Sequence, residues 1–304
     1  GSVSVQNNSQ RLPVMNPEEF RKYVAETFEE GSKQGEWVSS KMGKANTDWQ
    51  SLIFRTAISN DHNVSLNGNL KDMMPYRVSL GYTNQQGTLH GSSYDRGTVD
   101  FSLAPSFLDK HLTVNLNAKG VYSYADYADG GAVGTAAFFN PTLEPYFYNQ
   151  DGSVNNDLCH GYFNYGSVLE DGTFASTGSI SPLSMLYDKV SNERGLRFVG
   201  NASIDYKVHG FEALRFNVSL GMDVSKGNNF DGVTPYSVQA WGDTEARGAG
   251  RYTKSYSIAK NYVLEAYANY NEEWGIHKLD VMAGYSWQHV YNGGRSIQYI
   301  NESD

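Results

Sequence analysis

The chain has 304 residues, 24 basic and 33 acidic side chains and a formal net charge of −9, a balance that argues against a general nucleic-acid binder. Its single cysteine, Cys159, excludes a disulfide scaffold and a cysteine-rich metal centre. An aromatic content of 13% speaks against disorder, and no run approaches the ~20 apolar residues of a membrane helix; membrane strands stay open, because only every second residue of such a strand meets lipid.

Taken in chain order, the dominant signal is alternation. Val3 and Val5 read as the end of a first strand. A helix follows: Asn16 is placed to cap it, Pro17 to open it, Glu18 and Glu19 to complement its first turn, and Phe20, Tyr23, Val24 and Phe28 to form one face before Gly31 stops it. Thr47-Asp48-Trp49-Gln50 starts another short helical turn that leads into the next strand. Apolar residues then fall on every second position of Val64–Leu70, Tyr76–Tyr82, Val99–Leu103, Leu112–Tyr122, Leu196–Val208, Leu214–Val224, Tyr262–Tyr270 and Leu279–Trp287. With the first, these make about nine strands.

Two features separate these strands from those of a soluble sandwich. Many are about 12 residues or longer, where globular strands average ~5–6 and membrane strands need ~9–11. Their connections also alternate in length. Those at 71–75, 107–111, 209–213 and 272–277 are tight, and those at 9–55, 85–94, 124–192 and 226–251 are long. All tight turns therefore lie on one side of the sheet, as in outer-membrane barrels. Apolar faces end in Tyr76, Tyr82, Tyr122, Tyr124, Tyr206, Tyr285 and Trp287, amphipathic rings suited to a membrane–water interface. The opposite face carries both signs of charge: Arg77, Asp100, Lys119, Arg197, Asp205, Lys207, Arg215, Asp223, Glu265 and Asp280. A water-filled or plugged lumen accommodates them; a dry interior would not.

Catalytic signals are missing. The seven histidines have no metal-ligand spacing, and no GxSxG, P-loop or GxGxxG occurs. Asn149-Gln150-Asp151-Gly152 fails as an EF-hand, because Phe147 and Leu158 stand at the first and last ligand positions. Gly248-Ala249-Gly250 reads as a flexible loop. Neither a metal nor a cofactor is expected. For binding, Tyr146, Tyr148, Tyr162 and Tyr165 in one long loop and Tyr236 and Trp241 in the next are the candidates. Rings among Asn, Asp and Gly stack on sugars or meet a partner protein, or else pack the loops into a collar.

A family resemblance rests on particular words. Asn16-Pro17-Glu18-Glu19-Phe20, Thr47-Asp48-Trp49-Gln50, Ile53-Phe54-Arg55-Thr56-Ala57 and His62-Asn63-Val64-Ser65 come first, then Pro75 to Tyr82 with Gln86-Gly87, then Leu112 to Gly120. In this order they resemble SusC-like TonB-dependent outer-membrane transporters. The later strands match more by pattern than by wording, and Asn140-Pro141-Thr142 looks like the family's variable region. The resemblance implies an all-β fold, a partial antiparallel transmembrane barrel of about nine meander strands from a barrel of the 22-stranded plugged class. It implies import of oligosaccharides or peptides across the outer membrane of a Bacteroidota-type bacterium. The implied partners are a SusD-like surface lipoprotein and the TonB complex. On this reading residues 1–304 are the first part of the barrel, and loops 9–55, 125–192 and 226–251 are extracellular. A carboxypeptidase-like extension, TonB box, plug and closing strands are not in the sequence, so it is read as a piece of something longer; Gly1-Ser2 is either a cloning scar or native strand. A passive porin or secretion barrel is the alternative, and a soluble glycan-binding β protein a more distant one.

Overall fold

The computed structural model describes residues 1–71, 73–170, 174–241 and 248–301. Twelve strands occur among them: β1 (Ser2–Gln6), β2 (Ala57–Leu70), β3 (Met74–Gln86), β4 (Ser93–Leu103), β5 (Ser106–Phe107), β6 (Leu112–Asp126), β7 (Gly166–Val168), β8 (Phe174–Ser176), β9 (Lys189–Lys207), β10 (Leu214–Val233), β11 (Gly250–Trp274) and β12 (His277–Asn301). One sheet has the order β1-β2-β3-β4-β6-β9-β10-β11-β12, with β5 beside β6, and β7 pairs with β8 apart from it. Every pairing is antiparallel. The nine strands on the main path are the nine that alternation marks in the sequence, and they follow one another as a meander.

Register turns the strand patterns into surfaces. Val64, Leu80, Val99 and Gly120 are successive partners across β2, β3, β4 and β6. Val114, Ile204, Val218, Ala266 and Tyr285 continue across β6, β9, β10, β11 and β12. Because side chains alternate with a period of two, these residues share one face. That face is uncovered: Val64 is 71% exposed, Leu220 54% and Tyr285 62%. The sheet is open, since β1 pairs only with β2 and β12 only with β11.

The strands run further than their apolar alternation. β10 continues from Ser225 to Val233 and β11 begins at Gly250, so much of the stretch expected as loop 226–251 is paired strand. The polar residues there stay in the ladder because twenty consecutive register pairs join β10 to β11. Gly248-Ala249-Gly250 is buried at the start of β11; a Cβ at Gly250 would lie 2.7 Å from the Pro235 ring. At the opposite end, β11 and β12 are joined by Gly275-Ile276 alone. Gly275 has φ +58, which a two-residue hairpin demands and glycine supplies cheaply.

Among the described residues the long connections carry six short α-helices where one or two were expected: α1 (Pro17–Thr27), α2 (Lys33–Ser40), α3 (Trp49–Ile53), α4 (Gly131–Phe138), α5 (Pro182–Tyr187) and α6 (Val238–Trp241). The N-terminus of α1 is as read from the sequence. The Asn16 side chain accepts from the Glu19 N–H at 2.9 Å, and the Glu19 carboxylate accepts from the Asn16 N–H at 3.0 Å, a complete capping box. The helix ends at Thr27, and after Gly31 (φ +80) Ser32 caps a second helix, α2. Asp48 caps α3 by accepting from the Ser51 N–H at 3.0 Å.

What core there is lies in these loops. Trp49 and Ile53 of α3, Ala132 and Ala136 of α4, Phe139, Leu143, and Leu183 and Leu186 of α5 form one buried cluster. Of the sheet's apolar residues only Ala57 and Ala125, both at strand ends beside the long loops, are buried.

Candidate functional site

Two surfaces hold the polar and aromatic side chains that a transported or bound molecule would meet. The first is the charged face of the sheet. Strand parity puts Arg77, Asp100, Lys119, Arg197, Asp205, Arg215, Asp223 and Asp280 on it, and register brings opposite signs side by side. Lys119 Nζ is 3.4 Å from Asp100. The Arg197 guanidinium donates two hydrogen bonds to Asp223, at 2.9 and 2.5 Å. Arg215 Nε donates to Asp205 at 2.7 Å, and Asn217 donates to the same carboxylate at 3.1 Å. Asn269 and Asn271 both donate to Asp280. Lys207 and Glu265 have no side-chain partner among the described residues. Pairs as exposed as these add little stability; what they do is keep a wet face nearly neutral. A groove of about 530 Å³ opens there between Asn63, Arg77, Asp100, Asn117, Lys119 and Asn201.

The second surface is the loop collar. The 7–56 connection is fastened to the 127–188 connection by bonds no local pattern announces. Thr47 Oγ1 donates to the Leu143 carbonyl at 2.6 Å and Trp49 Nε1 to the Asn140 carbonyl at 3.0 Å. The Trp49 and Phe139 rings meet edge to face at 4.7 Å. The segment before α1 is held by Gln50, whose amide both donates to and accepts from the Leu12 backbone at 2.9 Å. Burial would raise the Asp48 carboxyl, but hydrogen bonds from Ser51 and the charge of Arg11 outweigh it and keep it below its ordinary value.

The expected binding residues separate into groups. Tyr146 pairs with Tyr162 in an isolated bridge, their rings 5.9 Å apart, and Tyr148 lies 6.4 Å from Tyr146. The Tyr162 ring stacks on Tyr187 at 6.0 Å. Tyr165 belongs to another group, 5.1 Å from Phe139 and 5.7 Å from Phe163. Tyr148 and Tyr236 are exposed, at 48% and 44%, and Tyr236 adopts a left-handed φ of +63. Trp241 ends α6, and its side chain lies outside the described residues.

The buried centre of this collar was not legible in the sequence. Asp188, 2% exposed, accepts from Ser184 Oγ at 2.5 Å and meets His160 Nδ1 at 2.8 Å, while its backbone carbonyl accepts from the Thr234 N–H. It therefore joins α5, the His160 turn and the end of β10. Only the Ser184 partner, four residues away, leaves a local trace. Burial, and after it the Asp188 charge, push the Cys159 thiol and the Tyr162 phenol each up to about 12. Among the described residues there is no group of three or more metal-ligating side chains.

Comparison with known proteins agrees with this architecture. No family model matches the chain. It is 34% identical over 302 residues, 97% of its length, to the TonB-dependent receptor SusC of Bacteroides thetaiotaomicron. It is 26% identical over 304 residues to the TonB-dependent receptor P3 of Formosa agariphila. It spans 28% and 27% of the lengths of these curated relatives. Among solved structures, the RagAB peptide transporter superposes on 99% of the chain with a TM-score of 0.71 at 13% identity, covering 35% of that chain. The closed-closed state of the RagAB peptide importer gives 0.64 over 94%. The chain is thus SusC-like in sequence, and its fold is that of a stretch of the RagAB structure.

Proposed function

We propose that this chain, SusC-like along nearly its whole length, is part of the barrel wall of a TonB-dependent outer-membrane importer. One observation carries the reading. Nine antiparallel strands present a continuous apolar face that nothing among the described residues covers, with every long connection at one end of the sheet. On β10 this face runs from Leu214 to Val224, about 33 Å of strand at roughly 3.3 Å per residue. Tilted by about 40°, it stands about 25 Å tall, the height of an outer-membrane barrel's apolar band. A water-soluble monomer exposes patches of only ~300–600 Å²; lipid is the natural cover.

On this reading the charged face lines a wet interior, where a plug and a substrate path belong. The connections between the strands at 7–56, 87–92, 127–188 and 234–249 belong on the extracellular side and the tight turns in the periplasm. Oligosaccharides or peptides are the cargo, and the exposed rings of Tyr148 and Tyr236 are the best placed to stack on them. A SusD-like lipoprotein docks at the loop end, where Phe138 is 92% and Trp37 64% exposed. Energy comes from the TonB complex through parts of the full-length protein outside this stretch. The role is transport, with no reaction catalysed.

The test is a clean deletion of the gene in its native bacterium, scored for growth on a panel of oligosaccharides and peptides as sole source. Complementation by the full-length protein restores growth on one of them, and complementation with its TonB-interacting segment removed does not. Growth that survives loss of that segment would favour a passive pore.

A further inference from the structure

The chain is acidic overall, yet on one part of its lipid-side face every charged residue is basic. Beyond the apolar band, toward the long loops, the strands β9 to β12 continue with the same parity. There they place Arg194, Lys226, Lys254, Lys260 and Arg295 on the face that carries Leu196 and Val224. Register fixes this: Lys260 pairs with Val224, Lys226 with Leu196, Arg194 with Asn228, and Asn228 in turn with Tyr256 and so with Arg295. Lys254 lies one step higher, opposite Phe230. From the Val224 row to the strand ends, these four strands carry no Asp or Glu on that face. The adjacent carboxylate, Asp126 of β6, already accepts from Tyr124 and Ser93.

None of the five cations has an ion pair or side-chain hydrogen bond among the described residues. Three instead lie over rings. Arg194 Cζ is 5.7 Å from the Tyr124 centroid, Lys254 Nζ is 5.1 Å from Tyr299 and 5.8 Å from Phe230, and Lys260 Nζ is 5.7 Å from Tyr291. Such stacking holds a cation against the sheet with its charge unspent. Between Arg194, Asn228, Lys254 and Arg295 runs an open groove of about 630 Å³.

Position and chemistry identify the occupant. Cations immediately above an apolar band, at a ring-lined border, face headgroups rather than acyl chains. With no carboxylate among them, they complement an anion. Phosphate is the anion that membrane lipids present and that arginine binds bidentately. From the Lys260 row to the Lys254 row is six residues, about 20 Å of strand and about 15 Å of height at a tilt of about 40°. The headgroup layer of an ordinary bilayer is only about 5–8 Å deep on each side. A single phosphodiester cannot span that height; a phosphorylated saccharide headgroup can.

We propose that the outer face of β9–β12 at its loop end binds the phosphorylated sugar headgroup of an outer-leaflet glycolipid. The proposal rests on the membrane-barrel reading and adds a lipid to it. Its test uses the full-length protein, purified in neutral detergent and confirmed as a folded barrel by heat-modifiable migration. Binding of diphosphorylated lipid A is measured by native mass spectrometry against the same lipid stripped of both phosphates. The phosphorylated form should bind at least tenfold more tightly. The triple variant Arg194→Gln, Lys254→Gln, Arg295→Gln should lose most of that preference, and the inner-face variant Lys119→Gln should keep it. Equal binding of the two lipids by the wild type would overturn the proposal, and if the triple variant does not fold, that comparison alone decides. Abolition of lipid A binding by millimolar inorganic phosphate would reassign the groove to free phosphate and likewise overturn it. A wild type that shows no heat-modifiable barrel overturns the membrane reading itself, a separate failure.

Discussion

Val218 and Asn217 are neighbours in β10 with opposite facings, so substituting each by arginine tests the assigned faces within one peptide unit. Val218 is 41% exposed on the apolar face, between Ile204 of β9 and Ala266 of β11. It stands four residues above Leu214 and six below Val224, which places it about 10 Å above the lower edge of a band about 25 Å tall, close to the midplane. Arginine there costs about 2–4 kcal/mol, equivalent to about 30-fold to about 900-fold in the folding equilibrium. Asn217 points the other way and donates to Asp205, which Arg215 also holds. An arginine at 217 meets water and that carboxylate, and its cost should stay within about 0.5 kcal/mol. The assay is urea titration of the full-length protein in lipid bilayers, followed by heat-modifiable migration. Equal destabilisation by Val218→Arg and Asn217→Arg, or the larger effect at Asn217, would refute the facing and the membrane argument built on it.

The remaining predictions concern the collar. Trp49→Ala removes the centre of the loop core and the bond to Asn140; a cost of about 3–5 kcal/mol should expose the 127–188 connection to protease while the strands stay protected. Asn16→Ala breaks the capping box of α1 at a cost of about 1 kcal/mol, seen as faster amide exchange over residues 17–27 alone. Cys159 and Tyr162 are neutral in the folded collar up to about 12, whereas in the opened collar they ionise near 9.0 and 10.0. The stability they contribute is therefore fully present below pH 9 and lost as pH rises from 9 toward 12. Iodoacetamide should fail to label Cys159 at pH 8 and label it progressively above that window; rapid labelling at pH 8 would contradict its burial. In the transport reading, Tyr148→Ala combined with Tyr236→Ala should lower cargo affinity without altering barrel stability, checked by binding and by heat-modifiable migration in parallel.

Alternation is a local property, so it survives in the sequence: a strand with one face in lipid must repeat every two residues wherever it occurs. That is why all nine main-path strands, the two faces and the alternation of tight and long connections could be read from residue order. The start of α1 was legible for the same reason, since Asn16, Pro17 and Glu19 act on their own turn. The strand ends were not. Lys226 to Val233 lack apolar alternation, and they are strand because β9 and β11 hold them in register on both sides. The collar was least legible. Trp49 reaching Asn140, Thr47 reaching Leu143, and Asp188 gathering His160 and Thr234 are contacts between residues far apart in the chain, and nothing in the spacing of any one segment encodes its partner. The basic patch lies between these cases: each cation alternates within its own strand, but only register across β9 to β12 collects them on one face. The sequence by itself therefore determined the sheet, because one apolar face imposes a period of two on every strand; tertiary structure decided the collar and the patch, because side chains from different segments meet there only after the sheet has formed.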